Sequence, residues 1–269
     1  MTTTELFDKV KDLELYNLHS HTEYCDGHAP VHEMVGAACE AGFKVWGVTP
    51  HAPICVHSEC NMRYEDAEPY LARIAELREE YAGRMLVLGG MEVDFISRDF
   101  GPHVDYFQEL QLDYRIGSVH FVPRRDGISI DCDGSVERFR KSLMICFRND
   151  LRYVVEKYYE QVLTMLELGG FEVLGHFDKI AGNASAVDPD IESYGWYQSL
   201  VDDVISHAAS NGCLVEVNTK AFESRNRFYP AEWLWPRLKE AGLRLVVNSD
   251  AHWKEKVNAG RHEALTRML

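Results

Sequence analysis

The sequence contains no run of about 18 apolar residues, so it offers no candidate transmembrane helix. It also lacks a basic surplus. Against 28 Lys and Arg stand 43 Asp and Glu, and the formal net charge of −15 speaks against a dedicated nucleic-acid face. The start, Met-Thr-Thr-Thr-Glu-Leu-Phe-Asp, has neither a basic stretch nor an apolar one, and no secretory signal is expected from it. No CxxC pair occurs among the seven cysteines at 25, 39, 55, 60, 132, 146 and 213. An odd, unpaired set argues against a disulfide framework and suits a reducing, cytoplasmic location, with most of these cysteines serving as small buried apolar residues. Linkers rich in Pro and Ser, low-complexity runs and internal repeats are absent as well. What remains is a chain of 269 residues, 46% hydrophobic and 26% charged, an ordinary globular composition that excludes collagen, coiled coil and bulk disorder.

The pattern along the chain is a repeated β-α unit. Short β-rich segments recur at 15–18, 44–49, 85–91, 114–119, 171–175, 213–217 and 243–248. Helical periodicity fills the intervals at 30–41, 64–82, 150–168, 196–210, 231–241 and 254–268. Ala41-Gly42, Asn211-Gly212 and Ala241-Gly242 place a glycine just past a helix and a few residues before a strand. This is the grammar of a parallel sheet, and an α/β barrel of 1–269 as one domain is the economical reading. The stretch 121–149 is longer than one crossover needs and is turn-rich, with Arg-Arg-Asp-Gly and Asp-Cys-Asp-Gly. It reads as a lid-like insertion, whose Arg138, Arg140 and Lys141 either close over substrate or, the preferred reading, decorate an amphipathic helix that turns Phe139 and Leu143 inward.

Six of the seven strands end in a potential metal ligand. The first leads into His19-Ser20-His21, with Asp26 in the following turn; the others end at His51, Glu92, His120, His176 and Asp250-Ala251-His252. In an extended segment side chains at i and i+2 project to the same side, so both members of His19-x-His21 can face one ion. A parallel barrel gathers its C-terminal strand ends around one mouth, which brings six imidazoles and three carboxylates into one pocket. Histidines without a structural reason for their position would scatter over helices and loops. Nine ligands exceed the three or four that one catalytic zinc needs, and a donor set of nitrogen and oxygen without cysteine suits Zn, Mn or Fe. Two to three divalent ions are implied. Cys55-Val-His57-Ser-Glu-Cys60 lacks the pairing and fourth ligand of a zinc motif and reads instead as a loop at the barrel mouth.

In order and over residues 16–253, the set His19-x-His21, Asp26, His51, Glu92, His120, His176 and Asp250-x-His252 resembles the PHP family, named for polymerase and histidinol phosphatase. The resemblance implies a distorted, TIM-like (β/α)7 barrel with a trinuclear metal centre at the C-terminal strand ends. Carried over by position, His19, His21, Glu92 and Asp250 hold one ion. Glu92 bridges to a second held by His120 and His176, and Asp26, His51 and His252 hold the third. Asp26 in Tyr-Cys-Asp-Gly, together with Val-Leu-Gly-His-Phe-Asp and Glu-Val-Asn-Thr followed by Tyr-Pro, is similar to the histidinol-phosphate phosphatase branch.

Such a site suits hydrolysis of a phosphate monoester by metal-bound hydroxide, because divalent ions lower the pKa of bound water from about 15.7 to about 7 and clamp the phosphoryl oxygens. Catalytic roles then fall on Asp26, His51, Asp178 and His252. Asp178, His252 and a bound water are alternatives for protonating the leaving alkoxide, and Asp178 has a second reading as a group that fixes a ligand imidazole. The phosphate calls for a guanidinium fork. The loop after the sixth strand offers Arg225 and Arg227 beside Asn218, and spacing leaves the choice between the arginines open. The expected partner is a small phosphate monoester, L-histidinol phosphate by resemblance, in the histidine biosynthesis pathway. A nuclease needs a basic track for further phosphates, which this charge does not provide. Amidohydrolase deaminases share HxH and a final Asp but lack the Glu92 and Asp250-x-His252 arrangement. A degenerate module that only binds metal would have lost ligands, and all nine are present. About three divalent ions add roughly +6 and bring the −15 to near −9, with the positive charge at the mouth.

Overall fold

A computed structural model describes residues 1–268. Seven parallel strands form a nearly closed barrel in the order β1 (Tyr16–Asn17), β2 (Val45–Val48), β3 (Leu86–Asp94), β4 (Tyr114–Ser118), β7 (Val173–Leu174), β8 (Leu214–Asn218) and β9 (Arg244–Asn248). These are the seven segments expected from the sequence, and each pairs in parallel with its neighbour in chain order. Between β4 and β7 lies the insertion: an antiparallel hairpin of β5 (Phe121–Pro123) and β6 (Ser129–Asp131), then the helix Val136–Phe147. That helix buries Phe139, Leu143 and Phe147 in a core shared with the long helix Leu151–Leu168.

The seam between β9 and β1 is joined by side chains more than by a backbone ladder. Leu18 N donates to Asn248 Oδ1 at 2.8 Å and Ser249 N to Asn17 Oδ1 at 2.7 Å, while His21 N reaches Ala251 O at 2.8 Å. Asparagine, short and carrying both donor and acceptor, substitutes here for a peptide group. Inside the barrel, Leu18, Val45, Leu88, Tyr114, Ile116, Val173, Leu214 and Val246 make an apolar plug. Leu6 and Val10 from the N-terminal segment complete it, and Met1 N donates to Asp113 O just before β4. The floor is thereby sealed at the N-terminal strand ends. The helix Thr3–Asp8 that supplies Leu6 was not anticipated, although Thr2 and Glu5 form a capping box.

Only Cys132 and Cys213 are buried, fewer than expected, and Cys55 is exposed; all seven cysteines are free. Among the described residues no helix is long and apolar enough to cross a membrane.

Candidate metal centre

All nine side chains singled out in the sequence meet at the C-terminal strand ends, around the buried carboxylate of Glu92. Strand β3 continues past position 91, where the sequence pattern ended it, and carries Glu92 and Asp94 side by side on one face. The two oxygens of Glu92 look in different directions. Oε2 lies 3.2 Å from His19 Nε2, 3.5 Å from His21 Nε2 and 3.1 Å from His51 Nδ1. Oε1 lies 2.9 Å from His176 Nε2 and 3.6 Å from His120 Nε2. Asp250 Oδ1 is 3.1 Å from His21 Nε2 and 3.8 Å from His19 Nε2. Asp26 Oδ1 approaches His252 Nε2 at 3.3 Å, His21 Nδ1 at 3.7 Å and His51 Nε2 at 3.9 Å. Asp250 also has a left-handed backbone, φ 48°, a conformation that costs a non-glycine residue energy and concentrates at functional sites.

Three of the imidazoles are held in one tautomer. His19 Nδ1–H donates to Glu216 Oε1 at 2.7 Å, His120 Nδ1–H to Asp94 Oδ1 at 2.7 Å, and His252 Nδ1–H to the Asp250 carbonyl at 3.0 Å. Each leaves its Nε2 lone pair turned toward the cluster, the arrangement that orients histidine for a metal. Glu216 and Asp94 were not assigned roles from the sequence. The available signal was a lone acid in an otherwise apolar strand, Leu-Val-Glu-Val-Asn, since a fully buried carboxylate needs a partner.

The residues present fit a multinuclear ion cluster. Glu92 Oε1, Asp250 Oδ1, Asp26 Oδ1, His120 Nε2 and both ring nitrogens of His176 are buried without a hydrogen-bond partner. Orphaned polar atoms are costly, and here acceptors and lone pairs face one another as they do around cations. Four overlapping sets of three or four donors fall within metal-holding range: His21, Asp26, His51 and His252; His19, His176 and Asp250; His19, His21 and Glu92; and His51, Glu92 and His120. Burial alone would raise the Glu92 carboxyl, but His51, His19 and His120 hold it well below the usual range.

Beside the cluster is a cavity of about 200 Å³, with Asp26, His51, His120 and His252 on one side. Its other walls are Ser58, Cys60 and Asn61 from the loop after β2, Asp94, Phe121, Asp131, Asp133, Gly134 and Arg138 from β3 and the insertion, and Lys220 from the loop after β8. The three substrate-binding candidates and the catalytic candidate Asp178 are not in its lining. Arg227 pairs with Glu192 through Nη1 at 2.7 Å and Nη2 at 3.1 Å, and Arg225 donates to Asn183 Oδ1 and Gly134 O, each at 3.2 Å. Asn218 is buried and donates to Asp250 Oδ2 at 2.9 Å and Glu216 Oε2 at 3.1 Å, so its amide positions a ligand. Asp178 is also fully buried; it accepts from Ala231 N at 2.8 Å, stands 3.5 Å from Arg227, and burial pushes its carboxyl up to about 7. None of these four lines the cavity.

A family model described as "PHP domain" matches residues 17–220. A histidinol-phosphatase of Bacillus subtilis is 25% identical over 255 residues, covering 87% of this chain and 92% of that protein. A Deinococcus radiodurans protein named "Probable histidinol-phosphatase" is 30% identical over 248 residues, covering 88% and 86%. Among solved structures, the hisK protein of Listeria monocytogenes superposes with a TM-score of 0.81 at 22% identity, over 92% of this chain and 99% of that one. The histidinol phosphate phosphatase of Lactococcus lactis, solved with Zn, L-histidinol and phosphate, superposes with a TM-score of 0.69 at 16% identity, over 95% and 92%. These two likenesses concern the fold.

Proposed function

The chain belongs to the PHP domain family, and from that premise we propose that it is a metal-dependent phosphatase that hydrolyses L-histidinol phosphate to L-histidinol and phosphate. The observation that carries the reading is the convergence of six imidazoles and three carboxylates, with their orphaned donor atoms, beside a small cavity. The relatives named for histidinol phosphatase activity support the choice of substrate.

Residues would be shared among ions as follows: His19, His21, Glu92 and Asp250 around one; Glu92, His120 and His176 around a second; Asp26, His51 and His252 around a third. The opposed directions of the Glu92 oxygens support its bridging place. Bound divalent ions supply a nucleophile at neutral pH and neutralise charge on the phosphoryl oxygens. The protein's own part is orientation. Glu216, Asp94 and the Asp250 carbonyl fix which nitrogen of His19, His120 and His252, respectively, faces inward, and Asn218 holds Asp250.

The cavity also bears on the alcohol released. Asp26, Asp94, Asp131 and Asp133 line it against two cations, Arg138 and Lys220. An acidic wall suits an amine-bearing alcohol better than a sugar or a nucleotide, whose further phosphates it would repel. The test is turnover by the Mn- or Zn-loaded protein of L-histidinol phosphate beside sugar phosphates, nucleotides and phosphotyrosine. Preference for histidinol phosphate is expected; preference for another monoester would displace the substrate, and inactivity on all would sink the phosphatase reading.

A further inference from the structure

We propose that Lys220 is the phosphate-binding cation of this site, in place of either arginine of its loop. The inference rests on the phosphatase reading and names a residue for it. Arg227 is committed to Glu192 and Asp178, and Arg225 to Asn183 and the Gly134 carbonyl. Freeing either guanidinium would strand a buried or half-buried acceptor. Lys179 is similarly engaged, its ammonium 3.0 Å from Asp133 Oδ2 with little exposure. Arg138 does line the cavity, but it pairs with Asp131 at 3.0 Å on the insertion.

Lys220 differs from these four in position, since its contacts are with His252 and Asp250 of the cluster itself. Its Nζ stands 3.1 Å from His252 Nε2 and 3.6 Å from Asp250 Oδ1, at the border between the ligand cluster and the cavity. Its side chain is 41% exposed, so water and a ligand can reach it. Its backbone is fixed, because Lys220 N donates to Asn218 Oδ1 at 3.1 Å and Asn218 is tied to Asp250. The ammonium is therefore anchored to the same frame as the ligands. A point charge with three donors binds phosphate without the planar fork an arginine requires, and a phosphoryl group drawn to the cluster has this ammonium at its edge.

The test is calorimetric titration of inorganic phosphate into the metal-loaded full chain, with metal content measured on each sample. Lys220→Met is expected to weaken phosphate binding tenfold or more at unchanged metal content, and Lys220→Arg to restore most of it. Unchanged binding in Lys220→Met, an equal loss in Arg225→Met, a loss of metal in step with the loss of phosphate, or a wild type that does not bind phosphate would each overturn the assignment. Turnover is read separately. A wild type that binds phosphate through Lys220 yet hydrolyses no monoester would refute the phosphatase reading and leave Lys220 in place.

Discussion

Replacing Glu216 by Gln changes one atom in a fully buried carboxylate, and its consequences follow from the donors around it. Oε1 accepts from His19 Nδ1 at 2.7 Å and Asn248 Nδ2 at 3.0 Å; Oε2 accepts from His176 N and Asn218 Nδ2, both at 3.1 Å. Each oxygen thus faces two donors, and whichever way the Gln amide turns, its NH2 meets a pair of them. Turned toward His19, it forces the proton onto Nε2 and removes the lone pair that faces the cluster. Turned the other way, it abandons a backbone N–H and the side chain that holds Asp250. Loss of such an orienting partner typically costs about 10–100-fold in metal affinity. At fixed excess metal that is about 1.4–2.8 kcal/mol less metal-linked stabilisation. The assay is a pair of thermal melts, with and without Mn or Zn, beside a direct metal titration. The metal-induced rise in Tm should shrink in Glu216→Gln while the metal-free melt moves less. Metal affinity within threefold of wild type would refute the role given to Glu216.

His120→Ala removes the imidazole that stands 3.6 Å from Glu92 Oε1 and strands the Asp94 carboxylate that accepts from it; elemental analysis should find fewer ions per chain, and an unchanged count would remove His120 from the ligand set. Away from the metals, Glu192 is bound by Arg227, Trp233 and Ser185, which outweigh burial and hold its carboxyl below the ordinary 4.5. A depressed carboxylate contributes stability above its unfolded pKa and loses it as pH falls through the folded value. Denaturant melts should therefore show Glu192→Gln less stable by about 1–3 kcal/mol at pH 7, with the gap narrowing below pH 4.5; a gap that is flat with pH would contradict this. In the barrel interior, a β-carbon added at Gly47 would collide with the Tyr114 hydroxyl and lie 3.0 Å from Leu18 Cα. Tyr114 cannot retreat without losing its 2.6 Å bond to Leu18 O, so Gly47→Ala should cost about 1–3 kcal/mol and lower Tm by several degrees; an unshifted melt would show that the barrel yields there.

Much of the site was legible because strand ends are legible. A ligand placed directly after a β-rich segment reaches the mouth of a parallel barrel whatever the loops do, and this holds for His51, His120, His176 and Asp250. The substrate side was less legible. Arg225 and Arg227 sit in the expected loop and Asn218 at the end of the strand before it, yet side chains three to five atoms long can turn either way. Packing gave Arg227 to Glu192, 35 positions earlier in the chain, and Asn218 to Asp250. Asp178 shares the loop after β7 with His176, but its carboxyl turns to the Ala231 amide instead of the cavity. Conversely, Arg138 was read as surface decoration and lines the cavity, because the hairpin ahead of it folds back over the mouth.

By itself, the sequence determined the repeating β-α order, the seven strands and the nine candidate ligands. These depend on local periodicity and on side-chain type, which travel with the chain. Only the tertiary structure decided which oxygen of Glu92 faces which imidazole and which buried acids, Glu216 and Asp94, set the tautomers. It also decided which cations are free to meet an anion. These depend on partners brought from distant strands, and a hydrogen bond is settled by tenths of an ångström and by direction, neither of which is written in the order of the residues.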